Sequence, residues 1–202
     1  MTNKALILAS ASPRRAELLR QIGVPFTIAA VDVDETPLPG EEPGAYVLRL
    51  AKCKASAAAA RFPNQVILAA DTTVSIDGQL LGKPSHQAEA TAMLMALSDR
   101  THSVYTGVAL ALGERLASRL SQTRVTFRAL DSAECQTYWH TGEPVDKAGG
   151  YAIQGLGAVF VKALEGSYTG VVGLPLAETW ELLQLFGIPC WSASPVGREM
   201  AE

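Results

Sequence analysis

Apolar and polar positions along the chain switch repeatedly between strand-like and helix-like spacing. Lys4 to Ala9 is a short apolar run that stops at a Ser/Pro cluster, the pattern of a buried strand. Ser12 followed by Pro13 predicts a helix start, with Ser as N-cap and Pro in the first turn. That helix carries Leu18, Leu19 and Ile22 and stops at Gly23, with Pro25 beyond. A second strand is predicted over 26–31, an acidic Pro- and Gly-rich loop over 32–44, and a long Ala-rich helix from 45 to about 61. Residues 66–70 read as another buried strand with Asp71 at its C-terminal end, and 74–81 as a hairpin around Asp77-Gly78. A helix over 85–97 precedes strands over 104–112 and 116–130, the second with clear period two. A helix over 132–140, a segment over 149–161 that mixes glycines with strand formers, and a last helix from Leu174-Pro175 to Gly187 complete the pattern. Residues after Trp191 read as a frayed tail. Interleaved strands and helices predict an α/β protein with a mixed sheet, and no stretch qualifies as a linker between independent domains.

Composition adds exclusions. A chain of 202 residues suits one large domain or one domain with two lobes. With 48% hydrophobic and 18% charged residues it is globular rather than disordered. A net charge of −3 excludes non-specific tracking of a nucleic-acid backbone, which runs on excess Lys and Arg. Any anion must therefore be held by a local basic cluster. Cys53, Cys135 and Cys190 are scattered, with neither zinc-site spacing nor the density of a disulfide framework, so reduced thiols are expected. Ala9-Ser10-Ala11 imitates a signal-peptidase site, but the apolar run before it is shorter than an h-region and carries one Lys. No run approaches the roughly 18 apolar residues of a membrane span. The expectation is a cytoplasmic protein with neither a membrane nor a nucleic acid as partner.

The chemistry-bearing residues fall in separate segments. Arg14 and Arg15 sit in the first turn of a predicted helix, where the macrodipole disfavours cations. The placement makes sense if an anion joins them, with Ser10 and the free N–H groups converging on phosphate oxygens; surface arginines paired with an acid such as Glu17 are the alternative. Asp71, directly after an apolar strand, is placed for metal binding or base catalysis, or simply caps a turn. Glu35 lies in a carboxylate-rich loop and is a candidate to share a divalent cation with Asp71, since Mg²⁺ is usually held by one or two carboxylates plus substrate phosphates. Lys54 projects from an apolar stripe of Leu50, Ala51, Ala57 and Ala58, so it either snorkels outward or aims into an anionic site. Lys83 lies in a stiff Gly82-Lys83-Pro84 turn, suited to hold an ammonium in place. In the 146–155 segment glycines allow close backbone approach, and Gln154 offers an amide donor and acceptor for a base edge. Residues 165–168 and 173–176 read as structural, and His86, His102 and His140 as surface or core filler. No Walker loop or GxGxxG after a strand is present.

Taken together, the segments resemble the Maf family of nucleoside triphosphate pyrophosphatases. The matching stretches are LASASPRRAELLRQIG from Leu8, DVDET from Asp32, RLAKCKA from Arg49, AADTTV from Ala69, LGKP from Leu81, VYTGVAL from Val104, DKAGGYAIQG from Asp146 and EGSYTGVVGLPLAET from Glu165. They follow one another in order over almost the whole chain, with 111–123 and the tail least matched. The resemblance implies one Maf-like domain over 1–202: a mixed twisted sheet flanked by helices, in two lobes with a central cleft, similar to the inosine triphosphate pyrophosphatases. It implies cleavage between the α and β phosphates with Mg²⁺ or Mn²⁺, and a homodimer. By resemblance Asp71 is the proton acceptor, with Ser10, Arg14, Arg15, Lys54 and Lys83 on the phosphate side and Glu35 on the metal side with Asp71. Arg14, Thr72 and Gln154 match positions linked to base selectivity. The form DKAGGYAIQG is similar to the branch acting on dTTP and UTP. The alternatives are the branch acting on 7-methyl-GTP and a nucleotide-binding regulator of cell division with little hydrolysis.

Overall fold

The structure, a computed structural model, describes residues 6–191; the first residues of the expected first strand and the expected tail lie outside the described residues. Among the described residues, seven strands form one mixed sheet. They are β1 (Leu6–Leu8), β2 (Phe26–Ile28), β3 (Val66–Ile76), β4 (Gln79–Leu81), β5 (Thr101–Leu112), β6 (Arg115–Phe127) and β7 (Val161–Glu165). The order is β2-β1-β3-β5-β6-β7, with β4 paired to β3. β1 pairs parallel with β2 and β3, and the remaining pairs are antiparallel. The predicted α/β class with a mixed sheet is what the chain adopts.

The helices are α1 (Pro13–Gln21), α2 (Pro43–Arg61), α3 (Gln87–Leu97), α4 (Ser132–Trp139), α5 (Tyr168–Val172) and α6 (Leu176–Phe186). α1 begins and ends where the Ser-Pro start and the glycine stop put it. α3 starts one step later than Ser85 suggests. His86 is its N-cap, its Nδ1 accepting from the Glu89 N–H at 3.2 Å, while Glu89 Oε2 accepts from the Ser85 N–H at 2.7 Å. His86 is thus a cap, not filler. The short α5 has no signal in the sequence pattern; the Ser167 hydroxyl caps it by accepting from the Gly170 N–H. The mixed segment over 149–161 forms turns and two 3-10 stretches, Ala148–Gly150 and Leu156–Phe160, before β7 begins at Val161.

The largest departure concerns β3. It does not end at Ala70 but continues to Ile76, because β5 pairs with it antiparallel from Ile67↔Ala111 to Ser75↔Ser103. Asp71 is therefore mid-strand, opposite Gly107. β1 and β2 stop early, at Leu8 and Ile28, where the Ala9 N–H donates to Leu68 O and the Ala29 N–H to Leu8 O. Beyond those ends β3 has no neighbour on its β1 side until β4 pairs with it from Val74 to Ile76, and this gap in the sheet becomes the cleft.

The two faces of the sheet are packed differently. One carries large side chains, among them Leu19, Leu68, Leu110, Phe127, Phe160 and Phe186. The other is lined by Ile7, Ala9, Ile67, Ala69, Ala109 and Ala111 and receives Ala51, Ala55, Ala58 and Ala59 of α2. The alanine run serves a purpose: small residues on both sides let helix and sheet approach closely. At the tightest point a Cβ on Gly107 would stand 2.5 Å from the Val47 carbonyl oxygen of α2. Gly107→Ala should therefore push α2 off the sheet. Because backbone rather than a pliant side chain is in the way, the loss is expected near the upper end for overpacking, about 3 kcal/mol. A thermal melt should show this as a fall in Tm of ~6–12 °C for a domain of this size.

Candidate active site

A cleft of about 740 Å³ opens at the gap in the sheet, within the range of roughly 300–1,000 Å³ usual for small-ligand sites. One wall comes from the end of β1 and the start of α1 (Ser10, Arg14, Arg15), the loop after β2 (Glu35), α2 (Lys54) and β3 (Asp71, Thr72). Gly173 stands on the same wall against Arg15, and Lys83, Lys147, Tyr151 and Gln154 line the other. Every residue singled out for chemistry in the sequence, from Ser10 to Gln154, lies on this one cavity.

Lys54 settles which way its stripe points. Its ammonium lies 2.6 Å from Glu35 Oε1 and 2.7 Å from Asp71 Oδ1, with its side chain 12% exposed. It does not snorkel to solvent; the close seating of α2 aims it into the acidic pair. Burial pushes the Glu35 carboxyl up, but the bond and charge of Lys54, with Lys83 and Arg15 further away, outweigh burial and hold it below its ordinary value. Tyr46 also lines the cleft, its phenol raised by burial and by the charges of Asp71 and Glu35, and its hydroxyl donates to the Glu35 carbonyl at 2.9 Å.

Arg15 is fixed by three oxygens. Its Nε donates to Gly173 O at 2.8 Å, and its two terminal nitrogens to Ser10 Oγ at 3.1 Å and Thr72 Oγ1 at 3.2 Å. Thr72 Oγ1 also pairs with Thr106 Oγ1 at 2.9 Å, and Thr106 donates on to Gly170 O. The Thr72 hydroxyl is thus engaged within the protein, steadying the guanidinium one residue from Asp71. Burial lowers the Arg15 pKa, opposed by the charge of Asp71. An arginine held with these neutral oxygens keeps an unneutralised charge for a ligand. Ser12 occupies the N-cap of α1, but its side chain makes no cap bond, and its own N–H donates to Ser10 Oγ at 3.2 Å. The positive end of α1 faces the cavity alongside Arg14, whose pKa is likewise lowered by burial and raised by Glu143.

The cleft also holds residues that the sequence did not isolate. Lys147 lines the cleft, its ammonium pKa lowered by burial and by the nearby Arg14 charge. Gly173, read as structural, supplies the carbonyl that orients Arg15. Its φ of +125° suits glycine, and a Cβ there would stand 3.5 Å from Arg15 Nε. Tyr151 is buried, its hydroxyl 2.8 Å from His102 Nε2. Burial takes His102 down to about 4, so it is neutral at physiological pH and part of the aromatic packing with Phe127.

Two carboxylates within 2.7 Å of one ammonium can also meet on one divalent cation. Among the described residues no group of three or more His, Cys, Asp and Glu is placed to hold a metal. Glu35 and Asp71 fit a hard cation whose remaining positions are filled by water and phosphate oxygens, the usual habit of Mg²⁺.

The family model described as Maf-like protein matches residues 5–186. A dTTP/UTP pyrophosphatase of Myxococcus xanthus (strain DK1622) is 57% identical over 190 residues, covering 94% of this chain and 96% of that protein. A dTTP/UTP pyrophosphatase of Aromatoleum aromaticum is 51% identical, covering 91% and 96%. One of Saccharophagus degradans is 54% identical, covering 92% and 90%. Among solved structures, the Staphylococcus aureus Ham1 protein is similar at TM-score 0.48 and 15% identity, covering 91% of this chain and 97% of that one.

The Lys54 contacts fix a titration. A depressed carboxyl stabilises the fold above its unfolded pKa, and that contribution is lost as pH falls through the folded value. Carbon-detected NMR should find Glu35 titrating below an ordinary glutamate. In Lys54→Met its pKa should move upward, since the ammonium is gone and Asp71 remains beside it.

Proposed function

Because the chain belongs to the Maf family, we propose that it is a nucleoside triphosphate pyrophosphatase that hydrolyses dTTP and UTP to the monophosphate and pyrophosphate. The observation that carries this reading is the cleft's division of charge. An acidic pair closes around one ammonium on β3 and α2, and a cationic set of Arg15, Arg14, Lys83, Lys147 and the positive end of α1 lines the same cleft. A triphosphate needs both. Its relatives' names, dTTP/UTP pyrophosphatase, supply the base and the bond.

In this reading Asp71 accepts the proton of a water that attacks the α phosphorus, and the bond from that phosphorus to the bridging oxygen breaks, releasing pyrophosphate with its electron pair. Ser10, Arg14, Arg15, Lys54 and Lys83 orient the polyphosphate and stabilise charge as it develops on the leaving group. A divalent cation, Mg²⁺ or Mn²⁺, held by Glu35 and Asp71 neutralises part of the phosphate charge when bound. Arg14, Thr72 and Gln154 serve base selection. A homodimer acting in the cytoplasm belongs to the same proposal.

Pyrophosphate release from dTTP and UTP with Mg²⁺, with no inorganic phosphate as first product, is the expected result, and EDTA should stop it. Loss of a positioned base typically costs 10²–10⁴-fold, so Asp71→Asn should lower kcat by about that factor without lowering the melting temperature. Near-normal turnover by that variant would remove Asp71 from its assigned role.

A further inference from the structure

Glu143 has no part in the chemistry above, yet it is the most heavily committed carboxylate bordering the second wall. Its Oε1 accepts from the Tyr138 hydroxyl at 2.6 Å and the Gly157 N–H at 2.8 Å, and its Oε2 from the Leu156 N–H at 2.9 Å. The Tyr138 oxygen in turn accepts from the Ala152 N–H at 3.2 Å. The backbone is thus pinned on both sides of Gln154, at 152 and at 156–157, by one two-side-chain unit. The glycines of this turn are shaped to it. A Cβ on Gly155 would stand 2.0 Å from Glu143 Oε2, and one on Gly157 would stand 2.6 Å from the Tyr138 oxygen. Gln154 itself is exposed on the cleft wall.

We propose that Glu143 is a positioning residue for base selection, fixing the turn that presents Gln154 to the cleft. Burial pushes the Glu143 carboxyl up, but the Tyr138 hydroxyl and the two amides outweigh it, so the group stays ionised and keeps its bonds at neutral pH. Its charge favours the cationic form of Arg14 against burial, and of Lys147 as well. The alternative is a carboxylate that only stabilises the turn, which would affect every nucleotide alike.

This inference rests on the function proposed above, and one experiment separates the two. Pyrophosphate release is measured for dTTP, dCTP and dGTP in the wild type, Glu143→Gln, Glu143→Ala and Tyr138→Phe. Dissociation constants for the non-hydrolysable α,β-imido analogues are measured alongside. In Glu143→Ala the ratio of kcat/KM for dTTP over dCTP should fall about tenfold, the equivalent of ~1.4 kcal/mol of lost discrimination, mostly through KM. Glu143→Gln, which keeps one acceptor oxygen but turns an NH₂ toward the Leu156 N–H, should fall between wild type and alanine. If Glu143→Ala fails to melt cooperatively, Tyr138→Phe decides, with the same change in smaller measure. Equal losses for all three nucleotides, or an unchanged ratio in a folded variant, overturn the proposal. A wild type that binds the analogues selectively but releases no pyrophosphate overturns the function instead, and the affinity ratios still judge Glu143.

Discussion

The seating of α2 on the sheet governs the cleft. Helix and strands meet through alanines, and at Gly107 through bare backbone, so the axis of α2 lies closer to β3 and β5 than larger side chains would allow. Lys54 is on that helix, and Asp71 lies opposite Gly107 in the ladder. The ion pair at 2.7 Å is a product of this closeness. A helix pushed outward by one methylene would leave the acidic pair without its ammonium. Core packing and electrostatics are here one constraint, felt on the sheet-facing side of the same helix.

Arg15 extends the logic along the same cleft. A guanidinium withdrawn from water must be hydrogen-bonded, and neutral acceptors satisfy its donors without cancelling its charge. Ser10, Thr72 and Gly173 do this from three separated segments. The result is a rigid positive group that needs no rearrangement when a polyanion arrives, the condition under which electrostatic stabilisation is most effective.

Much of this was legible in the sequence because the informative signals are local conflicts. Two arginines at the positive end of a helix, a lysine on an apolar stripe and an acid after a buried run each violate a short-range rule, and each faces the cleft. What stayed hidden depends on partners far along the chain. The continuation of β3 past Asp71 follows from its pairing with β5, whose register no local pattern announces. α5 is too short for helical periodicity to mark it. The Gly173 carbonyl has no side chain to betray it, and Glu143 looks like one more surface acid until its three donors are seen. Lys147 lies inside the DKAGGYAIQG stretch, but nothing nearby in sequence distinguishes it from an ordinary surface lysine.

The bond between Arg15 and Gly173 joins positions 158 residues apart. During synthesis the first strand and helix emerge long before their anchoring carbonyl exists, and domains fold as the chain is extended. Until Gly173 has left the ribosome, that guanidinium lacks its full set of acceptors and the pocket is unfinished. A chain interrupted upstream of this carbonyl is therefore left with an unmoored arginine, and the nascent protein completes its pocket only after residue 173 has emerged.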